Sequence, residues 1–259
     1  MKVYSFGRED APVILLLPGT WCPWRENFEG VIPLLEPDFH VLCVSYDGFD
    51  ETEPGETFPT MEAEALKIEG YIKACCGGQI RAAYGCSLGG SFVGLLAARQ
   101  NIQLDIGILG SSDLDQASPL KAKLQTETLA PLVYPLVRDG RFKQAALNKK
   151  MQAKIAESPE YMGAMIKLFG KPRPYVSLQS CKNQFYSDLV TALPDHLECP
   201  TKIHIFYALK MGEQYRARYL QHFADPVLHE MPLRHEELLV RYPERWAKLV
   251  KRICIDEYN

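Results

Sequence analysis

The sequence predicts an α/β fold: a mainly parallel sheet flanked by helices, with a block of helices inserted before the last strands. Three observations lead there. Short apolar or β-branched runs recur at 13–17, 41–44, 80–84, 106–109, 203–207 and 227–231. Most are continuous rather than alternating, as strands buried on both faces of a parallel sheet require. Segments with helical spacing lie between the runs, and the strand pattern stops between Ser118 and Pro200.

The helices can be justified in order. Thr60 precedes Met61-Glu62-Ala63-Glu64, so a capping hydroxyl and an acidic first turn open a helix with apolar positions at 61, 65, 68 and 72, and Gly77-Gly78 ends it. Residues 88–100 carry Phe92, Leu95, Leu96 and Ala98, which predicts a buried helix. A last helix over 236–253 is broken or bent near Pro243. In the insertion, helical pieces are expected over 120–129, over 142–156, and from Ser158-Pro159 to a stop at Gly170. Pro131, Pro135, Pro172 and Pro174 are expected to break the insertion into segments. Residues 1–117 and 201–259 are thus read as the core, and 118–200 as a helical lid over the carboxyl edge of the sheet. There is no internal repeat and no linker composition.

Composition narrows the function. The 259 residues are 47% apolar and 24% charged, an ordinary globular balance, and 29 basic against 32 acidic side chains give a net charge of −3. A chain of this length buries about three quarters of its unfolded surface without needing staples. No run of like charges reaches the length of a nucleic-acid or membrane-binding tail, and Lys149-Lys150 with Lys154 read as a solvated helix face. The longest apolar run, 13–17, is far short of the ~20 residues of a membrane helix. Eight cysteines and an amino-terminal MKVYSFGRED without a signal-peptide core are read as cytoplasmic thiols. Cys75-Cys76 has no second pair at ligand spacing, so no metal is expected. No cofactor, nucleic acid or membrane partner is implied.

The chemistry centres on Gly85-Cys86-Ser87-Leu88-Gly89, where a strand must reverse into a helix with a glycine on either side of the serine. Cys86 is read as a small buried residue of the turn. A serine hydroxyl needs a base, an acid behind that base, and donors for an oxyanion. Of six histidines, only His235, in MPLRHEELLVRY, falls in a loop after a predicted strand and before a helix. Catalytic groups of an open parallel sheet gather outside the carboxyl ends of its strands. Carboxylates that precede strands, namely Asp195, Glu198 and Asp225, are therefore demoted. Glu213, after the run at 203–207, is favoured as the acid, with Asp113, after the run at 106–109, as the alternative. The amides of Leu88 and Thr20 are the expected oxyanion donors, and Trp21 a pocket wall, with Trp24 either a wall or a core residue.

Taken together, GCSLG, LLLPGTW after the first strand, YDGFDE after the second and RHEELL near the end resemble the α/β-hydrolase superfamily. The resemblance spans nearly the whole chain apart from 118–200, which looks like that family's variable cap. It implies the α/β-hydrolase fold with an eight-stranded sheet, a nucleophile elbow at Ser87 and acyl chemistry through a covalent ester. Pro18-Gly19 stands where many members have His-Gly, and YALKMGEQY does not match the family's usual glycine and aspartate, leaving Glu213 displaced by about two residues. The expected activity is that of a serine hydrolase cleaving a carboxylic ester of a small or medium, largely uncharged acyl substrate. A thioesterase or amidase with the same triad, and a catalytically silent binding fold, are the alternatives.

Overall fold

The computed structural model describes residues 1–141, 152 and 155–256. Seven strands form one sheet: β1 (Lys2–Phe6), β2 (Val13–Leu17), β3 (His40–Ser45), β4 (Gln79–Gly85), β5 (Gln103–Leu109), β6 (Lys202–Ala208) and β7 (Val227–Met231), in the order β1-β3-β2-β4-β5-β6-β7. All neighbours are parallel except β1, which runs antiparallel to β3. The six expected strands are all present. β1 is an addition, and seven strands among the described residues replace the eight that the resemblance implies.

The continuous apolar runs have a simple cause. Along β2, Ile14 and Leu16 pack with Trp24, Phe28 and Trp246 on one face, while Leu15 and Leu17 pack with Phe92 and Ile68 on the other. Neither face meets water, so no polar position is tolerated. Each such fully buried side chain contributes about 1.5–3 kcal/mol.

The helices are α1 (Trp24–Phe28), α2 (Ile32–Leu35), α3 (Met61–Cys75), α4 (Leu88–Arg99), α5 (Pro119–Asp139), α6 (Pro159–Phe169), α7 (Leu178–Val190), α8 (Glu213–His222), α9 (Glu237–Arg241) and α10 (Pro243–Asp256). Thr60 caps α3 as expected, its Oγ1 accepting from the Ala63 amide at 3.2 Å, a contact of about 1 kcal/mol. Past its end, the Cys76 and Gly78 amides return to the Ile72 carbonyl. The expected last helix is two helices, α9 and α10, separated at Tyr242 before Pro243.

All described elements between β5 and β6 are helices, as the loss of strand pattern predicts. One expectation is corrected. Pro131 and Pro135 do not divide the segment: α5 runs through both. At i and i+4 they share one face, so the two missing amide bonds stack on a single side where the helix can bend. Pro172 and Pro174 do lie in the connection between α6 and α7. The helix expected over 142–156, with Lys149, Lys150 and Lys154, falls almost wholly outside the described residues. No described helix is long and apolar enough to cross a membrane.

Candidate active site

β4 ends at Gly85 and α4 begins at Leu88, so the chain reverses within Cys86 and Ser87. Ser87 sits at φ 50°, ψ −112°, a conformation that costs on the order of 1–3 kcal/mol and is held by its surroundings. The Cys86 amide bonds the Leu17 carbonyl at 3.0 Å, and the Gly89 and Gly90 amides bond back to Cys86 and Ser87 at 2.8 Å each. The glycines are steric requirements. A Cβ on Gly85 would fall 2.0 Å from the Gly89 backbone, and one on Gly89 would fall 2.1 Å from the Leu17 carbonyl oxygen. Cys86 is buried, and burial followed by the nearby charge of Glu236 pushes its thiol well above the usual range. It is a packing residue of the turn.

His235 lies between β7 and α9, as expected. Its loop is tied down by the Arg234 amide donating to Glu237 Oε2 at 2.8 Å and by the Tyr161 hydroxyl of α6 donating to the His235 carbonyl at 3.0 Å. The ring's Nε2 is buried and has no hydrogen-bond partner among the described residues. Ser87 and His235 line one cavity of about 250 Å³. No hydrogen bond joins the two side chains in this conformation. Elsewhere, His204 and His229 pair with each other at 2.9 Å, His40 meets Ser5 at 2.7 Å and His222 meets the Pro194 carbonyl at 3.3 Å.

The two acid candidates separate. Glu213 opens α8 directly after Gly212, whose φ of 108° sets the helix start, and its side chain is turned out to solvent. Its charge acts on Tyr207, and no described contact brings it to His235. Asp113 follows β5 and is half-buried. Its carboxyl is raised from the ordinary value chiefly by burial, with the His235 charge pulling the other way. Of the two, Asp113 is therefore the one within electrostatic reach of the imidazole. Asp115 is ion-paired to Arg218, whose Nη1 also donates to the Asp113 carbonyl at 2.9 Å.

The loop after β2 forms the facing wall. Asn27 Oδ1 accepts from the Gly19 amide at 2.9 Å, and a tight turn closes through the Cys22 amide to the Gly19 carbonyl at 3.1 Å. Thr20 lines the cavity, and the Leu88 amide, first in α4, has no partner within the helix. Trp21, at φ 59°, is pinned to α7 by its amide to Gln184 Oε1 (2.7 Å) and by Nε1 to the Cys181 carbonyl (3.0 Å). Trp24 does not reach the cavity; its ring packs on Tyr4 and Phe6. The remaining wall is apolar and comes mostly from the insertion: Val133, Met165, Leu168, Phe169 and Phe185.

Three residues that sequence reasoning passed over now stand out: Asn27, Gln184 and Glu236. Glu236 had one signal, its place beside His235 in RHEELL. The other two act across the fold with no local pattern. All eight cysteines are free thiols, and no cluster of three or more potential metal ligands occurs among the described residues.

A parallel sheet with an antiparallel first strand, and a serine turn and histidine loop converging outside its carboxyl ends, defines the class of α/β hydrolases. The chain belongs to the alpha/beta hydrolase family, whose model matches residues 14–250. Among solved structures it is similar to an alpha/beta hydrolase family protein from Desulfitobacterium hafniense (17% identity, 97% of this chain and 99% of that one, TM-score 0.73). It is also similar to MenH from S. aureus (15%, 100% and 98%, 0.72). A third is a thermophilic esterase from Thermogutta terrifontis (19%, 100% and 94%, 0.71). At these identities the neighbours establish the fold. No curated protein sequence matches the chain. Family and site together support a hydrolase.

Proposed function

We propose that this chain is a serine hydrolase that cleaves a carboxylic ester with a small or medium, uncharged acyl group through an acyl-enzyme on Ser87. The observation that carries the reading is the shared cavity in which Ser87 sits with the buried Nε2 of His235, which has no hydrogen-bond partner among the described residues. His235 takes the Ser87 proton as Oγ bonds to the carbonyl carbon, and the amides of Leu88 and Thr20 receive the negative oxygen. Collapse breaks the ester bond, and the alcohol leaves with the proton from His235. Water then attacks the acyl-enzyme, giving its proton to His235, which returns it to Ser87 as the acid departs.

Asp113, rather than the solvent-facing Glu213, is the acid of this scheme, because it is half-buried and its carboxyl is the one that feels the His235 charge. Residues 118–200 act as the cap. The apolar side chains of α5, α6 and α7 favour an uncharged acyl group, since a buried carboxylate would have no cation to meet among the cavity residues.

A fluorophosphonate probe with peptide mapping tests the scheme. Ser87 is the expected modified residue, and Ser87→Ala is expected to abolish labelling and lower ester turnover roughly a millionfold, by analogy with other serine triads. Unchanged turnover in that variant would overturn the mechanism. Matched oxygen esters, thioesters and amides then fix the bond cleaved, and a cavity that admits the probe without labelling would mean a silent binding fold.

A further inference from the structure

We propose that Glu236 is a positioning residue, its buried carboxylate locking the backbone that carries His235 onto the serine turn so that the two reacting side chains share one frame. This rests on the serine-hydrolase reading above.

The side chain is only 4% exposed, yet it points back under the turn rather than to solvent. Oε1 accepts from the Ser87 amide at 2.7 Å and from the Ser111 amide at 2.8 Å, and Oε2 accepts from the Tyr84 hydroxyl at 3.1 Å. The donors lie on β4 itself, the turn after it and the loop after β5, while the carboxylate belongs to the loop after β7. β6 separates β5 from β7, so no sheet hydrogen bond could make this connection. Hydrogen bonds to a charged acceptor are roughly twice as strong as neutral ones, and here two of the three donors are main-chain amides, one in the serine turn and one in the loop after β5.

The surroundings are built for this carboxylate. Glu236 adopts φ 52°, ψ 12°, left-handed backbone that a non-glycine residue takes only when neighbours compel it. A Cβ on Gly110 would lie 2.5 Å from Oε1, so the loop after β5 admits the carboxylate only as glycine. No ion pair to Glu236 occurs among the described residues. Its charge is met by amide dipoles, one of them at the amino-terminal end of α4, where an anion is favoured.

The test separates position from stability. Glu236→Gln retains an acceptor oxygen for both amides and is expected to keep kcat within about threefold of wild type. Glu236→Ala removes the tie and is expected to lower kcat about a hundredfold per fluorophosphonate-titrated site, with KM changed less than about threefold. Melting temperature is read in parallel. Wild-type kcat per titrated site in Glu236→Ala, with only the melting temperature reduced, would overturn the proposal, as would equal losses of kcat in both variants. Should Glu236→Ala not fold, Glu236→Asp takes its place: it keeps the charge but retracts it by one methylene, an expected loss of at least about tenfold, and full activity overturns the proposal. A wild type that the probe never labels at Ser87 instead refutes the hydrolase reading on which the proposal rests.

Discussion

The serine turn and the inserted helices face each other across one cavity, yet they are held by different means. At the turn, backbone packs on backbone: Gly85 on Gly89, Gly89 on the Leu17 carbonyl and Gly90 on Ser112 leave no room for a single methyl group. Across the cavity, α6 has no fully buried residue, and α5 exposes Leu120, Leu124 and Leu132. The insertion contributes a few apolar side chains to the core, among them Val137, Val176 and Cys181, and polar contacts join it to the rest of the chain: Gln184 to the Trp21 amide, Ser180 and Asn183 to Phe58, and Tyr161 to the His235 carbonyl. The Ser87 turn is thus fixed by sterics that sequence change cannot relax. The pocket wall is side-chain surface that can vary at little cost to the fold.

After the loss at Ser87 itself, the next largest expected effect would break this comparison if it failed to appear. Asp113→Asn is expected to lower kcat by about a thousandfold or more, as removal of an orienting carboxylate does in other triads, whereas Glu213→Gln leaves it unchanged. Steady-state kinetics on one ester decide it, and the reverse pattern would return the role to Glu213.

Next in size is stability. Gly89→Ala is expected to cost about 3 kcal/mol or more by driving a methyl into the Leu17 carbonyl. Leu168→Ala, on the cavity wall of α6, is expected to change the preference between short and long acyl chains about tenfold while costing much less stability. Denaturant unfolding and an ester panel measure the pair. Equal stability losses would erase the contrast between the two regions.

The smallest effect concerns pH. Burial, opposed by a Ser91 hydrogen bond and reinforced by the charges of Asp113 and Asp115, pushes the Asp188 carboxyl up to about 7. The folded value lies above the unfolded one of about 3.9, so this contribution is fully present below about pH 4 and lost as pH rises through about 7. Burial raises Asp113 and Glu64 as well, with the same sign. Melting temperature is therefore expected to fall between about pH 4 and 8, and Asp188→Asn to flatten that fall. An unaltered slope in the variant would remove Asp188 from the account.

Much of the fold was legible because its causes are local. Continuous apolar runs announced β2 to β7, and the Thr60 cap and paired glycines bounded α3 within the chain itself. β1 was not legible: on the sheet edge its residues are mostly half-exposed, and its pairing partner lies some forty residues away, Lys2 opposite Ser45. α5 misled because proline is read as a breaker residue by residue, while two prolines on one helix face act together. At the site, Ser87 and His235 could be picked out by their places between strand and helix. The two acid candidates could not be separated there, because Glu213 and Asp113 both follow strands, and only helix register and burial distinguish them.

The sequence by itself determined the strands buried on both faces, the turn at Ser87 and the loop carrying His235, since period, glycine spacing and flanking runs are properties of neighbouring residues. Only the tertiary structure decided which candidate carboxylate is half-buried within electrostatic reach of His235 and which is turned to solvent, which side chains close the cavity and that Glu236 grips the Ser87 amide from 149 residues away. Such contacts depend on how the strands are ordered in space and on which side of a helix a residue emerges, and no local pattern encodes either.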